Sequence, residues 1–246
     1  MTADLHTASY GLRAHSIAVV IPAHNEQARL ASCLASVHKA AVHLDRVAPH
    51  VRVRVMVVLD ACTDGTAGIV AEAAGVDSVS VGFRSVGAAR RAGVGAVLAD
   101  CGGPLDGLWL ASTDADCTVP EGWLATFVGA ADDGYQLVLG MVRPDDALSA
   151  PARRAWNRRH RFEDGHPHVH GANLAVRADL YCRVGGWGSV ETGEDVDLVA
   201  RTESVGSAAV LRTRRHPVVT SSRLAGRAPS GFADYLLSLG AASESP

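Results

Sequence analysis

Residues Leu108–Cys117 have the sequence LWLASTDADC, in which a short apolar run ends in two aspartates one residue apart. The apolar run predicts a strand with both carboxylates at its end. Side chains two positions apart in an extended chain point to the same side, so Asp114 and Asp116 can converge on one cation. Carboxylate oxygens suit Mg²⁺ or Mn²⁺. The same pair also occurs in solvated turns, so the rest of the sequence has to distinguish the two interpretations.

Three apolar runs upstream indicate the sheet to which this strand belongs. They are rich in β-branched residues, as is typical of strands buried on both faces of a parallel sheet. The three runs are Ser16–Ile21, Val53–Leu59 and Val76–Val81. Helical patterns follow them at residues 30–37, Thr66–Ala74 and Ser85–Ala99. This alternation predicts an α/β fold with a mostly parallel central sheet flanked by helices.

Polar residues follow three of the predicted strands, at Pro22–Glu26, Asp60–Asp64 and Asp114–Asp116. Ligands bind beyond the carboxyl ends of the strands in such sheets, so three polar ends on one edge favour a ligand site. Neither Gly-x-Gly-x-x-Gly nor Gly-x-x-x-x-Gly-Lys is present, which excludes the dinucleotide-binding and P-loop classes. A nucleotide bound without such a loop needs other charge neutralisation, which a metal at the aspartate pair would supply.

The second half of the chain predicts a helix from Pro120, a strand at Leu137–Val142 and a helix from about Asp195. An arginine-rich stretch at 153–161 is either a solvated helix face or a mobile basic lid beside an anionic ligand. The alternating histidines His166, His168 and His170 either bind a metal or position a substrate from a loop. Two short apolar runs occupy residues 209–222, and a final helix is expected at Gly231–Leu239.

Composition narrows the classes of function. The net charge of −3 gives no basic field for nucleic acid. No apolar stretch reaches the roughly 18 residues that a membrane span needs. The first residues do not resemble a signal peptide. Five cysteines without a Cys-x-x-Cys pair argue against a disulfide framework or a zinc site, so a cytoplasmic location is expected.

In their order and spacing, the motifs resemble those of family 2 glycosyltransferases, the inverting GT-A family that uses nucleotide sugars. The resemblance runs from about Ile17 to Arg201. It rests on IPAHNE at Ile21–Glu26, DACTDGT at Asp60–Thr66, GAAR at Gly87–Arg90, DAD at Asp114–Asp116, GANLAVR at Gly171–Arg177 and GED at Gly193–Asp195. The family's second motif often has two adjacent acids. Here Leu59 takes the first place, which leaves Asp60 to recognise the base alone.

The resemblance implies a role for each site residue. The residues implied to bind the nucleotide sugar are Pro22, Ala23, Asn25, Glu26, Asp60, Arg90, Asp114 and Ala115. Asp116 would bind the metal together with Asp114, and His216 is either a further ligand or an exposed histidine of a strand turn. Asp195 would be the general base, with Glu194 beside it. The acceptor side would include Trp187, His170 and Asn173, with a core aromatic as the alternative for Trp187.

The implied function is inverting transfer of a sugar from a UDP- or GDP-sugar to the hydroxyl of an unknown acceptor, assisted by Mn²⁺ or Mg²⁺. A nucleotidyltransferase and a non-catalytic nucleotide-sugar-binding protein are the alternatives. The implied organisation is one GT-A domain with a smaller acceptor-side region. Its parts are a leader at 1–15, a nucleotide-sugar-binding half at 16–116, an acceptor-binding and catalytic half at 117–222 and a C-terminal helix and tail at 223–246.

Overall fold

The computed structural model describes residues 14–190 and 192–223. Within these ranges no helix is both long and apolar enough to cross a membrane. The helix expected at Gly231–Leu239 lies outside the described residues, as does most of the expected leader. The described ranges contain every motif on which the resemblance rests.

The described residues form one mixed sheet of eight strands. The strands are β1 (Ser16–Ala23), β2 (Arg52–Asp60), β3 (Val76–Val81), β4 (Leu108–Ser112), β5 (Cys117–Thr118), β6 (Leu137–Pro144), β7 (Leu174–Arg177) and β8 (Val210–Thr220). Their spatial order is β3-β2-β1-β4-β7-β6-β8-β5. The first four strands pair in parallel, as do β6 and β8, whereas β7 is antiparallel to β4 and β6 and β5 is antiparallel to β8. The predicted α/β fold is confirmed, with antiparallel pairings in its second half.

Helices cover both faces of the sheet. The described helices are α1 (Leu30–Val47), α2 (Thr66–Glu72), α3 (Val86–Ala99), α4 (Trp123–Asp132), α5 (Ala150–Arg159), α6 (Ala178–Arg183) and α7 (Glu194–Ser204). Successive side chains of a strand point to opposite faces, so β1 feeds two hydrophobic clusters. Ile17, Val19 and Ile21 pack with α1 and α4. Ala18 and Val20 pack with α3, α6 and α7.

The register of the sheet brings the polar strand ends together. Ala23 at the end of β1 lies beside Leu59 of β2, and Val20 lies beside Ser112 at the end of β4. The residues that follow these three strands therefore emerge at one edge, as the sequence predicts.

Two elements differ in detail from the sequence prediction. The two apolar runs of residues 209–222 belong to the single strand β8, whose pairing with β6 shifts between Gly140 and Val142. His216 lies at this irregularity with a φ of 50°. The helix expected from Pro120 begins at Trp123, because Pro120 is in a turn whose carbonyl accepts a hydrogen bond from the Trp123 amide.

Candidate active site

One cleft of about 1180 Å³ opens at the carboxyl edge of the sheet. Its walls come from the ends of β1, β2 and β4, the start of α3, the residues before β7 and the start of α7. The sequence-predicted site residues that line it are Pro22, Ala23, Glu26, Asp60, Arg90, Asp114, Ala115, Asp116, His170, Glu194 and Asp195. Gly171 and Ala172 line it too, so the fold gathers residues from all six motifs into one space.

The aspartate pair forms an acidic group at one end of this cleft. Oxygen atoms of Asp114 and Asp116 and the sulfur of Cys117 all lie within 4.8 Å of one another. Burial and the charge of Asp114 raise the pKa of Asp116 to about 6. Burial also raises the pKa of the Cys117 thiol, so this sulfur is neutral at pH 7. The two carboxylates are therefore the ligands that fit a divalent ion such as Mg²⁺ or Mn²⁺, which prefer oxygen.

Arg90 links the aspartate pair to the acidic start of α7. Its side chain is almost completely buried, and its Nη2 donates to Asp114 Oδ1 at 2.6 Å. Its Nη1 donates to Glu194 Oε1. The guanidinium also lies 5.1 Å from the ring centroid of Trp187, a cation–π contact. One buried cation consequently binds one carboxylate of each acidic pair.

Asp195 is held in a single orientation at the first turn of α7. Its Oδ2 accepts a hydrogen bond from the Gly171 amide at 2.8 Å, and its Oδ1 accepts one from the Val196 amide at 2.9 Å. The preceding Gly193 has a φ of 76°, a left-handed conformation that glycine adopts without strain. Acidic side chains in the first turn of a helix interact favourably with the partial positive charge of its N-terminus. The Asp195 carboxylate is thus held beside the loop that carries His170.

Arg223 forms a second ionic link across the cleft, and sequence reasoning missed it. Its two Nη atoms donate to both Glu26 oxygens at 2.9 and 2.7 Å. Nη2 also lies 3.1 Å from Asp116 Oδ2. Glu26 and Arg223 are 197 positions apart in the chain, and no motif contains Arg223. Only the return of the chain after β8 brings them together.

Residues 18–180 match the sequence profile of the family described as Glycosyl transferase family 2. The chain belongs to glycosyltransferase family 2. The matched region is more than half of the chain and contains all the motifs except Gly193–Asp195. The predicted membership of a glycosyltransferase family is confirmed. A comparison with curated proteins found no match.

Solved structures show that the glycosyltransferase has the GT-A fold. S. aureus TarS 1-349 in complex with UDP is 12% identical with a TM-score of 0.61, over 84% of this chain and 60% of that chain. The mannosyltransferase PcManGT from Pyrobaculum calidifontis, in complex with GDP-Man and Mn²⁺, is 20% identical with a TM-score of 0.62, over 92% and 73%. Glucosyl-3-phosphoglycerate synthase from Mycobacterium tuberculosis, in complex with Mn²⁺, UDP and phosphoglyceric acid, is 20% identical with a TM-score of 0.56, over 94% and 78%.

Four of the predicted site residues do not line the cleft of this glycosyltransferase. Trp187 is 2% exposed and lies against Arg90, as expected of the core aromatic. Asn173 is buried. Its Oδ1 accepts a hydrogen bond from Trp123 Nε1, and its Nδ2 donates one to the Met141 carbonyl, both at 2.8 Å. His216 contacts α4, where its Nδ1 lies 2.7 Å from Thr126 Oγ1, and it does not belong to the acidic group of Asp114 and Asp116. Trp187 thus has a packing contact, whereas Asn173 and His216 make hydrogen bonds within the fold.

The fourth residue, Asn25, connects the first two motif loops. Its Oδ1 accepts a hydrogen bond from the Thr63 amide at 2.7 Å. Asp60 has a comparable role, since its carboxylate accepts from the Arg84 and Ser85 amides at 2.8 and 3.0 Å. Asp60 therefore fixes the turn before α3 of the glycosyltransferase. That Asp60 also recognises the base stays a prediction.

Four histidine and tryptophan rings of residues 156–168 form a column. Trp156 and His160 stack at 3.5 Å between centroids, His160 and His168 at 4.7 Å, and His166 and His168 at 5.9 Å. Trp156 and His160 line the cleft, and the sequence analysis did not identify either of them. Burial lowers the pKa of His160 and of His168, so both are neutral near pH 7.

His170 lies at the cleft side of this column. Burial, with smaller effects of the neighbouring histidines, lowers its pKa to about 3. Its Nε2 has no hydrogen-bond partner among the described residues. The described histidines form no cluster with the spacing of a metal site, which favours substrate positioning over metal binding for this loop.

Proposed function

We propose that this glycosyltransferase is an inverting, metal-assisted enzyme that transfers a sugar from a UDP- or GDP-sugar to an acceptor hydroxyl, with Asp195 as the general base. The observation that carries the proposal is the position of Arg90, which contacts Asp114 on one side and Glu194 on the other. The metal-binding pair and the base pair therefore face the same cleft with one guanidinium between them. Direct displacement needs a base on one side of the donor sugar and a stabilised leaving group on the other, and this arrangement supports the proposal that both are supplied here.

The donor half of the proposal uses the predicted residues that line the cleft around β1, β2 and β4. Pro22, Ala23 and Glu26 would border the nucleoside, and Asp114 and Ala115 would contact the ribose or the sugar. Asp116 and Asp114 would hold Mn²⁺ or Mg²⁺. A divalent ion at this position would stabilise the charge that builds up on the diphosphate leaving group. Its use here is supported by the solved structures of PcManGT with GDP-Man and Mn²⁺ and of the synthase with UDP and Mn²⁺.

The acceptor half of the proposal rests on Asp195. The Gly171 and Val196 amides hold this carboxylate, so little reorganisation is needed when it takes the proton of the acceptor hydroxyl. Glu194 is tied to Arg90 and is 7% exposed, which makes it a positioning residue beside the base. The neutral His170 imidazole lies next to Gly171 and would offer its Nε2 to the acceptor.

Product analysis tests the proposed reaction. The purified enzyme is incubated with UDP- and GDP-sugars and Mn²⁺ or Mg²⁺, and the products are separated by chromatography. We expect release of a nucleoside diphosphate, which should be slow when water is the acceptor. We expect this release to stop when EDTA is added. Retention of anomeric configuration in the sugar product would contradict the inverting mechanism. In a parallel incubation with a nucleoside triphosphate and a sugar 1-phosphate, pyrophosphate release would support the nucleotidyltransferase alternative, and metal-dependent donor binding without turnover would support the non-catalytic one.

A further inference from the structure

Arg223 contacts two carboxylates, Glu26 in the loop after β1 and Asp116 in the loop after β4. Its guanidinium makes a two-pronged contact with Glu26, at 2.9 and 2.7 Å, and reaches Asp116 Oδ2 at 3.1 Å. Planar guanidinium groups match carboxylates in this bidentate geometry, which makes such pairs stronger than single contacts. One side chain that follows β8 therefore joins the loop after β1 to the aspartate pair after β4.

The contact is shielded from water. The Glu26 and Asp116 side chains are 7% and 13% exposed, and that of Arg223 is 25% exposed. Among residues 14–190 and 192–223, Arg223 is the sole cation within ion-pair distance of Asp116. Arg90, the other arginine in the acidic part of the cleft, is engaged with Asp114 and Glu194. Arg223 thus supplies the positive charge that lies within ion-pair distance of Asp116.

We propose that Arg223 is a tethered counter-ion that occupies the metal side of the site in the donor-free enzyme and makes metal binding depend on the donor. The inference rests on the proposed function, because it takes Asp116 as the metal ligand. A divalent ion arriving alone has to displace the guanidinium from Asp116, and this cost weakens its binding. A diphosphate arriving with the ion provides anionic oxygens to which the displaced guanidinium can donate. Metal and donor then bind better together than separately.

This coupling is reciprocal, as any thermodynamic linkage between two ligands must be. If UDP strengthens Mn²⁺ binding by a given factor, then Mn²⁺ strengthens UDP binding by the same factor. Removing Arg223 has two separable effects. It strengthens binding of Mn²⁺ alone, because no guanidinium has to be displaced, and it weakens UDP binding in the presence of the ion.

The experiment measures Mn²⁺ binding to the full chain by electron paramagnetic resonance, with no nucleotide, with UDP and with GDP. For the wild-type enzyme we expect one of the nucleotides to lower the Mn²⁺ dissociation constant by at least about tenfold, within the usual range of coupling. For Arg223→Gln we expect Mn²⁺ alone to bind about threefold or more tightly than to the wild type, and the nucleotide effect to shrink by at least about threefold. The matched control is Arg212→Gln, which removes an arginine paired with Glu203 at 2.7 Å and should bind as the wild type does.

The outcomes separate this inference from the proposed function. A wild-type enzyme without coupling, or an Arg223→Gln enzyme with wild-type Mn²⁺ affinity and coupling, would overturn the counter-ion role. Weaker binding of Mn²⁺ alone to Arg223→Gln would overturn it as well. Asp116→Asn tests the metal site itself. If this variant loses Mn²⁺ binding, the metal assignment stands whatever Arg223 does, whereas unchanged Mn²⁺ binding would refute both.

Discussion

The Nη2 atom of Arg90 lies 2.6 Å from Oδ1 of Asp114. Because the same guanidinium donates to Glu194, a side chain from α3 ties the aspartate pair after β4 to the first turn of α7. Removing one partner of a buried ion pair leaves the other charge uncompensated, which costs more than the pair contributes. The buried ion pairs of the candidate active site are therefore expected to contribute to the stability of the fold.

Arg90→Ala should destabilise the enzyme strongly. Two carboxylates would lose their buried cation, so we expect the free energy of unfolding to fall by about 3–5 kcal/mol. Urea denaturation followed by circular dichroism measures it. The control is Arg54→Ala, which removes the partner of Asp77 and Asp100 at a partly exposed site and should cost no more than about 1 kcal/mol. Equal losses in the two variants would contradict the role given to Arg90.

Asp60→Asn separates a structural role from base recognition. An asparagine can accept from only one of the two amides that Asp60 binds, and we expect the free energy of unfolding to fall by about 1–3 kcal/mol. Denaturation is measured together with UDP and GDP affinity. Unchanged stability with a large loss of nucleotide affinity would show that the carboxylate serves the base instead of the turn.

Asp116→Asn should stabilise the metal-free protein at neutral pH. Burial and the charge of Asp114 raise the pKa of Asp116 from 3.8 to about 6, so the ionised form is disfavoured in the folded state. A shift of this size makes the carboxylate cost about 3 kcal/mol at pH 7. This cost declines as the pH falls below 6 and vanishes below 3.8, where both states are protonated. The gain from the substitution should therefore be present at pH 7 and absent near pH 3.8.

The measurement for Asp116→Asn is urea denaturation at several pH values with EDTA present. Asp146→Asn is the control, because the Asp146 side chain is 96% exposed and should give the same stability as the wild type throughout. A variant that is less stable than the wild type at pH 7 would contradict the conclusion that the ionised Asp116 carboxylate destabilises the folded state.

Two glycines of α3 provide a test of the packing between this helix and the sheet. A Cβ at Gly93 would lie 2.6 Å from methyl carbons of Val20 and Val58, whereas one at Gly95 would meet no atom within 4 Å. Gly93→Ala should therefore destabilise the enzyme by about 1–3 kcal/mol. Gly95→Ala should stabilise it by about 0.5–1 kcal/mol, because alanine favours the helix. Thermal denaturation of both variants checks the prediction, and stabilisation by Gly93→Ala would show that α3 packs differently.

The strands of the first half could be predicted because their burial in the sheet requires apolar residues, which the sequence shows directly. Ser16–Ala23 is buried along almost its whole length, which requires a continuous apolar run. The strand β5, by contrast, is two residues long and pairs with β8 about one hundred positions later, so no local pattern indicates it. The antiparallel position of β7 between β4 and β6 likewise depends on tertiary pairing.

The candidate site likewise combines residues that the sequence predicts with contacts that depend on the tertiary fold. Motif order brought Asp114, Asp116 and Asp195 into consideration, and the structure places all three in one cleft. Sequence motifs do not show which residue a side chain contacts in the fold. They therefore gave no indication that Glu26 pairs with Arg223. They also did not show that Trp187 is turned into the core, because a buried and a ligand-facing tryptophan have the same sequence context.

The most direct test of the central claim is the transfer or donor-hydrolysis rate of Asp195→Asn. The substitution keeps the size of the side chain and an oxygen that can accept from the Gly171 amide, but removes the base. We expect the turnover number to fall by about 10²–10⁴ while donor affinity stays within about threefold of the wild type. Asp197→Asn, two positions further along α7 and paired with Arg201, should retain wild-type turnover. Wild-type turnover by Asp195→Asn would contradict the assignment of Asp195 as the general base.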